Sequence, residues 1–537
     1  MARRRIPLAF TCVGVCVALV ACSTDSGVSV DRAEPLIDDT TAVTDAPAPT
    51  PTLDDDAGTD ASTDTVPPMT LPGTSLPPAP TPPAPPATDE GATPSPPAGD
   101  LDGVGDVLFP SLGNPGVDVQ DYDVALTYDP DADTIEGSVT LTVAFTEDRK
   151  EFTLDSVDLD VSAVTVDGAP AEFTAEDVEL RIQPPDVITA GTTAEVVVDY
   201  SGAPDAEASM AGIPNGWFHT DGGSYVLNEP DGARTWVPSN DHPSDKATWT
   251  FEITVPSGVT AVANGSLVST TEGADGDTWV WRQSEPMATY LVQLITGDYQ
   301  LVEATGPGGL PLVSAVLRDD VKLMAPFTDT IAEQIEFFEQ WFGPYPLDRY
   351  GISMTDSFSG LAMETQGRSL FSRDDFLSGE LGYWESLLLS HELAHQWFGD
   401  AVTPAVWGDI WLNEGFATYG EWLWLDHVGM QPLEDEAAAA LEQRNAMGGH
   451  STGEPTVDDL FGFTSYQGGA VVLHALRATI GDQAFWELLQ QWVVQNDGTS
   501  RTTDDFITLA EDVAKTDLTE FFEDWLYAER LPSSFPD

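Results

Sequence analysis

The spacing of apolar residues changes along the chain and separates two regions of different predicted structure. In the first region apolar residues recur at every second position, as they do from Tyr122 to Tyr128, which is the period of half-buried β-strands. Past Leu310 they recur at helical spacing instead. We therefore predict an α+β, multidomain protein, with an all-β N-terminal domain over residues 106–305 and a mainly α-helical domain over residues 306–537.

The helical region carries signals for several separate helices. The first is predicted over residues 327–342, because the apolar period there stops at the breaker Gly343-Pro344-Tyr345-Pro346. A short β-rich stretch is predicted over residues 350–370, ahead of two helices around residues 390–424. Later helices are predicted over residues 433–447, 468–480, 483–495, 503–514 and 518–528.

Two segments that precede the predicted β domain are not expected to belong to the folded body. Residues 1–22 combine three arginines with an apolar run and end in Leu19-Val20-Ala21-Cys22, which resembles the lipobox of bacterial lipoproteins. That resemblance implies cleavage before Cys22, a lipid on its thiol, and anchoring at the outer face of the cytoplasmic membrane in a bacterial cell envelope. An ordinary secretory signal or membrane anchor is the alternative. Residues 23–105 are rich in Pro, Thr and Asp and predict a disordered tether.

Composition excludes several classes of function. The chain has 20 Lys and Arg against 90 Asp and Glu, and a net charge of −70 rules against nucleic acid as a partner. All three cysteines lie within the predicted signal segment, so we expect neither a disulfide nor a thiol nucleophile in the folded body.

The strongest chemical signal is a pair of histidines four residues apart. On a helix, His391 and His395 share one face and can bind one metal ion together. Glu414 follows His395 by nineteen residues, on a second helix, and is the expected third ligand. Two imidazoles and one carboxylate are typical of a catalytic zinc site, which keeps a fourth position open for water. Glu392 directly follows the first ligand, where it can take a proton from that water.

Three further motifs extend this signal: Leu361 to Thr365, Glu229 to Arg234, and Ser465 to Ala470. Together with the histidine pair, they resemble the zinc aminopeptidases of the aminopeptidase N and leukotriene hydrolase family. The resemblance covers residues from about 119 to 532. It implies a saddle-like β domain followed by a thermolysin-like catalytic domain, with Zn²⁺ as the cofactor.

The first of these motifs is similar to the family's G-A-M-E-N exopeptidase loop. The resemblance implies that Glu364 binds the free α-amine of a peptide substrate, with Ala362 and Met363 beside it. A carboxylate suits this role because it pairs with the ammonium and sets where the scissile bond lies. This copy has Leu361 in place of the glycine and Thr365 in place of the asparagine.

In each of the other two motifs, the resemblance implies a role for one residue. Glu229 matches an acid that reaches the same amine, although Leu227 replaces the glutamine usual in that block. Tyr466 matches a tyrosine whose hydroxyl stabilises the oxyanion, although Gly468 replaces the usual lysine. Glu421 lies seven residues past Glu414 and is either an orienting partner for a ligand histidine or an exposed glutamate.

The expected function is therefore a zinc-dependent aminopeptidase, anchored to a membrane by lipid, that acts on peptides with a free N-terminus. An endopeptidase, an epoxide hydrolase and a catalytically inert surface-binding lipoprotein stay open as alternatives. Many family members carry a C-terminal array of paired helices. Because the 71 residues after Tyr466 are used by other predicted helices, we expect no such array, and a cleft open on that side.

Overall fold

The computed structural model describes residues 103–536, except residues 177, 221, 358 and 359. The predicted signal peptide, its Cys22, and the predicted tether up to residue 102 lie outside the described residues. Within the described part of the chain, no helix combines the length and the apolar character needed to cross a membrane.

The N-terminal part of the described chain is built from β-strands. In chain order they are β1 (Val117–Asp129), β2 (Thr134–Phe145), β3 (Phe152–Asp155), β4 (Asp160–Val166), β5 (Ala169–Pro170), β6 (Glu172–Glu176), β7 (Glu179–Gln183), β8 (Thr193–Gly202), β9 (Ala206–Ala208), β10 (Pro214–Thr220), β11 (Gly223–Leu227), β12 (Lys246–Val255), β13 (Thr260–Ala263), β14 (Ser266–Glu272), β15 (Asp277–Ala288) and β16 (Leu294–Gly297).

These strands form three sheets. The largest has eight strands in the order β14-β15-β12-β1-β2-β8-β4-β5, and β1 and β12 run parallel within it. The others have the orders β13-β16-β11-β10-β9 and β3-β7-β6. In β1 the side chains of Val124, Leu126 and Tyr128 are buried while those between them are exposed. The predicted alternation therefore places the apolar residues on one face of the sheet, which packs into the core.

A separate five-stranded sheet leads into the helical region. It contains β17 (Tyr299–Thr305), β18 (Pro311–Leu317), β19 (Ile352–Thr355), β20 (Ala362–Met363) and β21 (Ser369–Ser372), in the order β17-β18-β19-β21-β20. Strand β17 precedes residue 306 in the chain, yet it pairs with β18 along its whole length. Strand β20 lies at the edge of this sheet. A small two-stranded sheet joins β22 (Val402–Pro404) to β23 (Thr499–Arg501).

Helices make up most of the remainder. They are α1 (Val321–Phe342), α2 (Tyr383–Ala394), α3 (Trp411–His427), α4 (Leu433–Met447), α5 (Tyr466–Ile480), α6 (Asp482–Asn496), α7 (Thr503–Ala514) and α8 (Thr519–Trp525). The predicted fold class is confirmed, and α4 and α7 have the predicted ends. Helix α1 begins six residues earlier than predicted, and α8 is shorter than predicted at both ends.

The β region and the helical region meet through buried and part-buried hydrogen bonds near the end of α2. Lys246, the first residue of β12, donates from Nζ to the carbonyl oxygens of Asp400 at 2.6 Å and Ala401 at 3.2 Å. Burial lowers the pKa of Lys246 to about 8. The backbone N–H of Trp407 donates to Asp106 at 2.8 Å. These contacts hold the chain that links α2 to α3, and both helices carry predicted site residues.

Candidate active site

The three predicted zinc ligands come together at the junction of two buried helices. His391 lies in the last turn of α2, His395 follows the end of that helix, and Glu414 lies in the first turn of α3. The two Nε2 atoms are 3.1 Å apart, and Glu414 Oε2 is 3.1 Å from His391 Nε2 and 3.5 Å from His395 Nε2. All three side chains are buried.

This arrangement fits a zinc ion. Tetrahedral zinc with bonds of about 2.0–2.1 Å to nitrogen and oxygen places its ligand atoms about 3.3 Å apart. The observed separations of 3.1–3.5 Å lie around that value. Two imidazole nitrogens and a carboxylate oxygen are also the donor atoms that zinc takes in catalytic sites.

The other ring nitrogen of each histidine is held by hydrogen bonding. His391 Nδ1 donates to Glu421 Oε1 at 2.6 Å, and His395 Nδ1 donates to the carbonyl of Phe398 at 3.1 Å. Both Nε2 atoms can therefore present a lone pair to a metal. Glu421 is only 4% exposed, so the interpretation as an exposed glutamate is wrong, and its hydrogen bond to His391 fits the other interpretation, an orienting partner.

The charges of the predicted ligands shift one another's pKa values. Burial alone would lower the pKa of His391, but hydrogen bonds to Glu414 and Glu421 outweigh it and raise the pKa well above its usual value. Burial would raise the pKa of Glu414, yet the charge of His395 and the hydrogen bond to His391 lower it to about 2. A metal ion therefore competes with protons for this site.

Glu392 lies beside the predicted ligands and remains free to accept a proton. Its Oε2 is buried and has no hydrogen-bond partner among the residues that the structure describes. Oxygen atoms of Glu392 and Glu364 and a ring nitrogen of His395 lie within 4.8 Å of one another. Burial raises the pKa of Glu392 to about 8, against the opposing charges of the two histidines.

Tyr466 is the first residue of α5 and lies against the predicted ligands. Its ring is parallel to that of His391, with centroids 5.8 Å apart, and its hydroxyl lies next to Glu414. Burial raises the pKa of Tyr466 well above its usual value, so the hydroxyl stays protonated and can donate a hydrogen bond.

The position of Tyr466 depends on a close crossing of α3 and α5. A Cβ atom added to Gly415 would lie 2.7 Å from the Cα of Gly469, and one added to Gly469 would lie 2.6 Å from the Cα of Gly415. Only glycine on both helices permits this approach. Gly415 directly follows the Glu414 ligand and Gly469 lies three residues after Tyr466, so the crossing sets the distance between ligand and tyrosine.

The predicted amine-binding acids face each other across the same site. Oxygen atoms of Glu229, Glu364 and Glu414 lie within 4.8 Å of one another. Glu229 and Glu364 each have a buried Oε1 without a hydrogen-bond partner in the described part of the chain. Burial raises the pKa of both carboxyl groups, and the charge of Glu364 raises that of Glu229 further. Two such carboxylates fit a cationic group placed between them.

Glu364 extends from the edge of a sheet. It follows β20, whose Ala362 and Met363 pair with β21 on one side. The remaining backbone edge of β20 can pair with an extended chain. Leu227, at the end of β11, is a buried apolar residue at the position where the resemblance leads one to expect glutamine.

Residues that the sequence interpretation missed hold this loop in place. Gln293 Nε2 donates to Thr365 Oγ1 at 2.9 Å, and Asn264 Nδ2 donates to the carbonyl of Gln366 at 3.0 Å. Gln396 donates to the carbonyl of Glu364 at 3.1 Å. Of the three, only Gln396 had a signal in the sequence, since it directly follows a predicted ligand.

Comparison with known proteins identifies related sequences and structures. Two family models match, the Peptidase M1 N-terminal domain over residues 119–291 and the Peptidase family M1 domain over residues 327–525. A crystal structure of an M1 zinc metallopeptidase from Deinococcus radiodurans is 33% identical, with a TM-score of 0.73, and the match covers 81% of this chain and 99% of that one.

Two further matches are a second solved structure and a curated sequence. A mutant of an M1 zinc metallopeptidase from D. radiodurans, bound to a Tyr-Ser-Ala substrate, is 32% identical with a TM-score of 0.74, over 81% of this chain and 99% of that one. Probable aminopeptidase 2 of Sulfurisphaera tokodaii is 26% identical over 402 residues, which are 71% of this chain and 50% of that protein. The chain thus spans about half the length of the curated relatives it matches.

The hydrogen bond from His391 to Glu421 predicts a measurable effect on metal binding. Glu421→Gln should weaken zinc affinity by about 10- to 100-fold, because the ligand ring loses its charged partner. Competition titration with a chromogenic chelator measures this. Glu442→Gln, an exposed glutamate of α4, is the control and should bind zinc like the wild type. Equal affinity in all three proteins would contradict the orienting role of Glu421.

Proposed function

This chain belongs to peptidase family M1, and on that basis we propose that it is a zinc-dependent aminopeptidase that removes the N-terminal residue of peptides. One observation carries the proposal beyond the family. Next to a triad suited to zinc, Glu229 and Glu364 present two buried carboxylate oxygens that have no hydrogen-bond partner among the described residues. A relative solved with a Tyr-Ser-Ala substrate also supports peptides as substrates.

The metal would be held by His391, His395 and Glu414. When bound there, zinc supplies the Lewis acidity that polarises a carbonyl group and makes water a nucleophile at neutral pH. Glu421 and the carbonyl of Phe398 keep the two imidazoles turned toward it.

The two free carboxylates select and position the substrate. The α-ammonium group of a peptide would lie between Glu364 and Glu229, where it supplies the positive charge that the pair lacks. Burial raises the pKa values of both carboxyl groups. The positive charge of the ammonium has the opposite effect and favours their ionised form. Holding the amine in this way fixes the first peptide bond near the metal ligands, and this positioning lowers the barrier to reaction.

Glu392 and Tyr466 then act on the peptide bond itself. Glu392 takes a proton from the attacking water and transfers it to the nitrogen that leaves, so one carboxylate serves both as base and as acid. Its raised pKa keeps these two states close in free energy near neutral pH. The protonated Tyr466 hydroxyl donates a hydrogen bond to the carbonyl oxygen as it gains negative charge.

The alternatives fit the same site less well. An endopeptidase or an epoxide hydrolase would bring no cation to Glu229 and Glu364, and the pair would stay buried without a positive partner. An inert binding protein would have no use for a Glu392 whose buried Oε2, beside the metal ligands, lacks a hydrogen-bond partner in the part of the chain that the structure describes.

We also propose that a lipid on Cys22 anchors the protein to the outer face of the cytoplasmic membrane in a bacterial cell envelope. The support is the basic, then apolar, leader that ends in Leu19-Val20-Ala21-Cys22.

The requirement for a free amine provides the first test. The zinc-loaded protein should hydrolyse alanyl-p-nitroanilide but not its N-acetyl derivative, and a chelator should abolish turnover until zinc is restored. Glu392→Gln should keep its zinc yet lose turnover by about 100- to 10,000-fold, because it removes a proton acceptor and no ligand. His395→Ala should lose the metal as well. Cleavage of the acetylated substrate at a comparable rate would rule out the aminopeptidase.

The second test concerns Glu364. Glu364→Ala should lower kcat/KM for free-amine substrates by about 2–5 kcal/mol of transition-state binding, because a buried ammonium loses its partner. Glu303→Ala, an exposed glutamate of β17, is the control and should behave like the wild type. Activity of Glu364→Ala within about twofold of the wild type would refute amine binding at Glu364.

The third test concerns the anchor. Cys22→Ser should move the protein from the membrane fraction to the soluble fraction of the expressing bacterium and should abolish labelling by a radioactive fatty acid. Cys16→Ser, in the same leader, is the control and should leave both unchanged. Persistent membrane association of Cys22→Ser would refute anchoring by a lipid.

A further inference from the structure

The side chain of Gln396 joins two elements that carry different parts of the proposed reaction. Its Nε2 donates to the carbonyl of Glu364 at 3.1 Å and to the carbonyl of Glu392 at 3.3 Å. Its Oε1 accepts from the backbone N–H of Gly367 at 2.8 Å. The side chain is 0% exposed. Both ends of the carboxamide are therefore used, and two of the three bonds leave its own helical segment.

The two residues that it joins lie on different elements, which Ser369 also links by donating from Oγ to the carbonyl of Glu392 at 3.2 Å. Glu364 follows the edge strand β20, whereas Glu392 lies on α2. The turn from Thr365 to Arg368, which follows Glu364, is closed by a bond from Arg368 N to Thr365 O at 3.0 Å, and its Gly367 has a φ of 75°. Gln396 holds this turn from the side of α2, while Asn264 holds it from the side of the β region.

A role confined to capping α2 does not account for these contacts. A capping side chain bonds the free carbonyls or N–H groups of its own helix. Gln396 does bond the carbonyl of Glu392, four residues earlier, but its other bonds go to Glu364 and Gly367 in the loop. The carboxamide thus attaches the amine-binding loop to α2, the helix that carries the base Glu392.

We propose that Gln396 is a positioning residue that sets the register of the substrate, that is, the distance from the amine-binding Glu364 to the proton acceptor Glu392. This inference rests on the proposed aminopeptidase function. It predicts that Gln396 governs how well the enzyme distinguishes an α-amine from an amine displaced by one methylene group. Zinc binding should not depend on it, since Gln396 contributes no ligand atom.

The test compares alanyl-p-nitroanilide with β-alanyl-p-nitroanilide. Gln396→Met keeps the size of the side chain but removes its donors and its acceptor. Its kcat/KM for the α-alanyl substrate should fall about 10- to 100-fold, because a displacement of about 1 Å has a cost of that order. The β-alanyl substrate should lose much less, so the ratio between the two falls.

A second variant separates the two functions of the carboxamide. Gln396→Glu keeps an acceptor for Gly367 but lacks the amide donor to the two carbonyls. It should lower the ratio of α-alanyl to β-alanyl activity while keeping the amide of Gly367 protected from hydrogen exchange. Gln396→Met should lose that protection, with the amides of α2 unchanged.

The control is Gln283→Leu, a buried glutamine that donates to Glu285 of its own strand. It should change neither the ratio nor the exchange at Gly367. An equal loss for both substrates in Gln396→Met, or unchanged exchange at Gly367, would overturn the proposal. A wild-type enzyme that cleaves neither substrate would contradict the proposed function instead, and exchange at Gly367 would still decide whether Gln396 holds the loop.

Discussion

The burial of several carboxyl groups in one site is the constraint on which the rest of this structure depends. Four glutamates lie close together in this site, namely Glu229, Glu364, Glu392 and Glu414. Burial disfavours the charged form of each. Such a cluster is stable only when cations enter it or when some of the groups keep a proton. Zinc and a substrate ammonium would supply this positive charge, with the two histidines neutral as metal ligands. Burying these carboxyl groups is unfavourable on its own, and the same groups are thus the source of the site's affinity for zinc and for the ammonium.

The fold holds these acids at constant separations through contacts between different elements. The contact between Gly415 and Gly469 fixes the ligand helix against the helix of Tyr466. Lys246 binds the carbonyls that follow α2, and Glu421 holds the ring of His391. Each of these contacts joins two different elements, and each is buried or partly buried, where a hydrogen bond or a close contact leaves little freedom.

Much of the fold was predictable because the hydrophobic period changes so clearly. The alternation in β1 and the helical period of α4 and α7 correspond to elements with the predicted type. The order of the strands was not predictable, since a period of two does not specify a partner. The parallel pairing of β1 with β12 is an example, because more than a hundred residues separate the two strands. Strand β17 likewise pairs with β18, in the sheet that contains β20, although its pattern continues that of the strands before it.

The sequence by itself determined the chemistry of the site. The spacing of His391 and His395, the glutamate between them and the later Glu414 indicate a catalytic zinc, because local helical geometry is enough to bring a residue and its fourth neighbour together. Only the tertiary structure decided which groups support that chemistry. Glu421 could have been exposed, Glu229 lies on the β region far from α2 in the chain, and Gln396 donates to backbone carbonyls that no motif records. Contacts of this kind arise from packing between distant segments, and neither residue type nor local spacing carries that information.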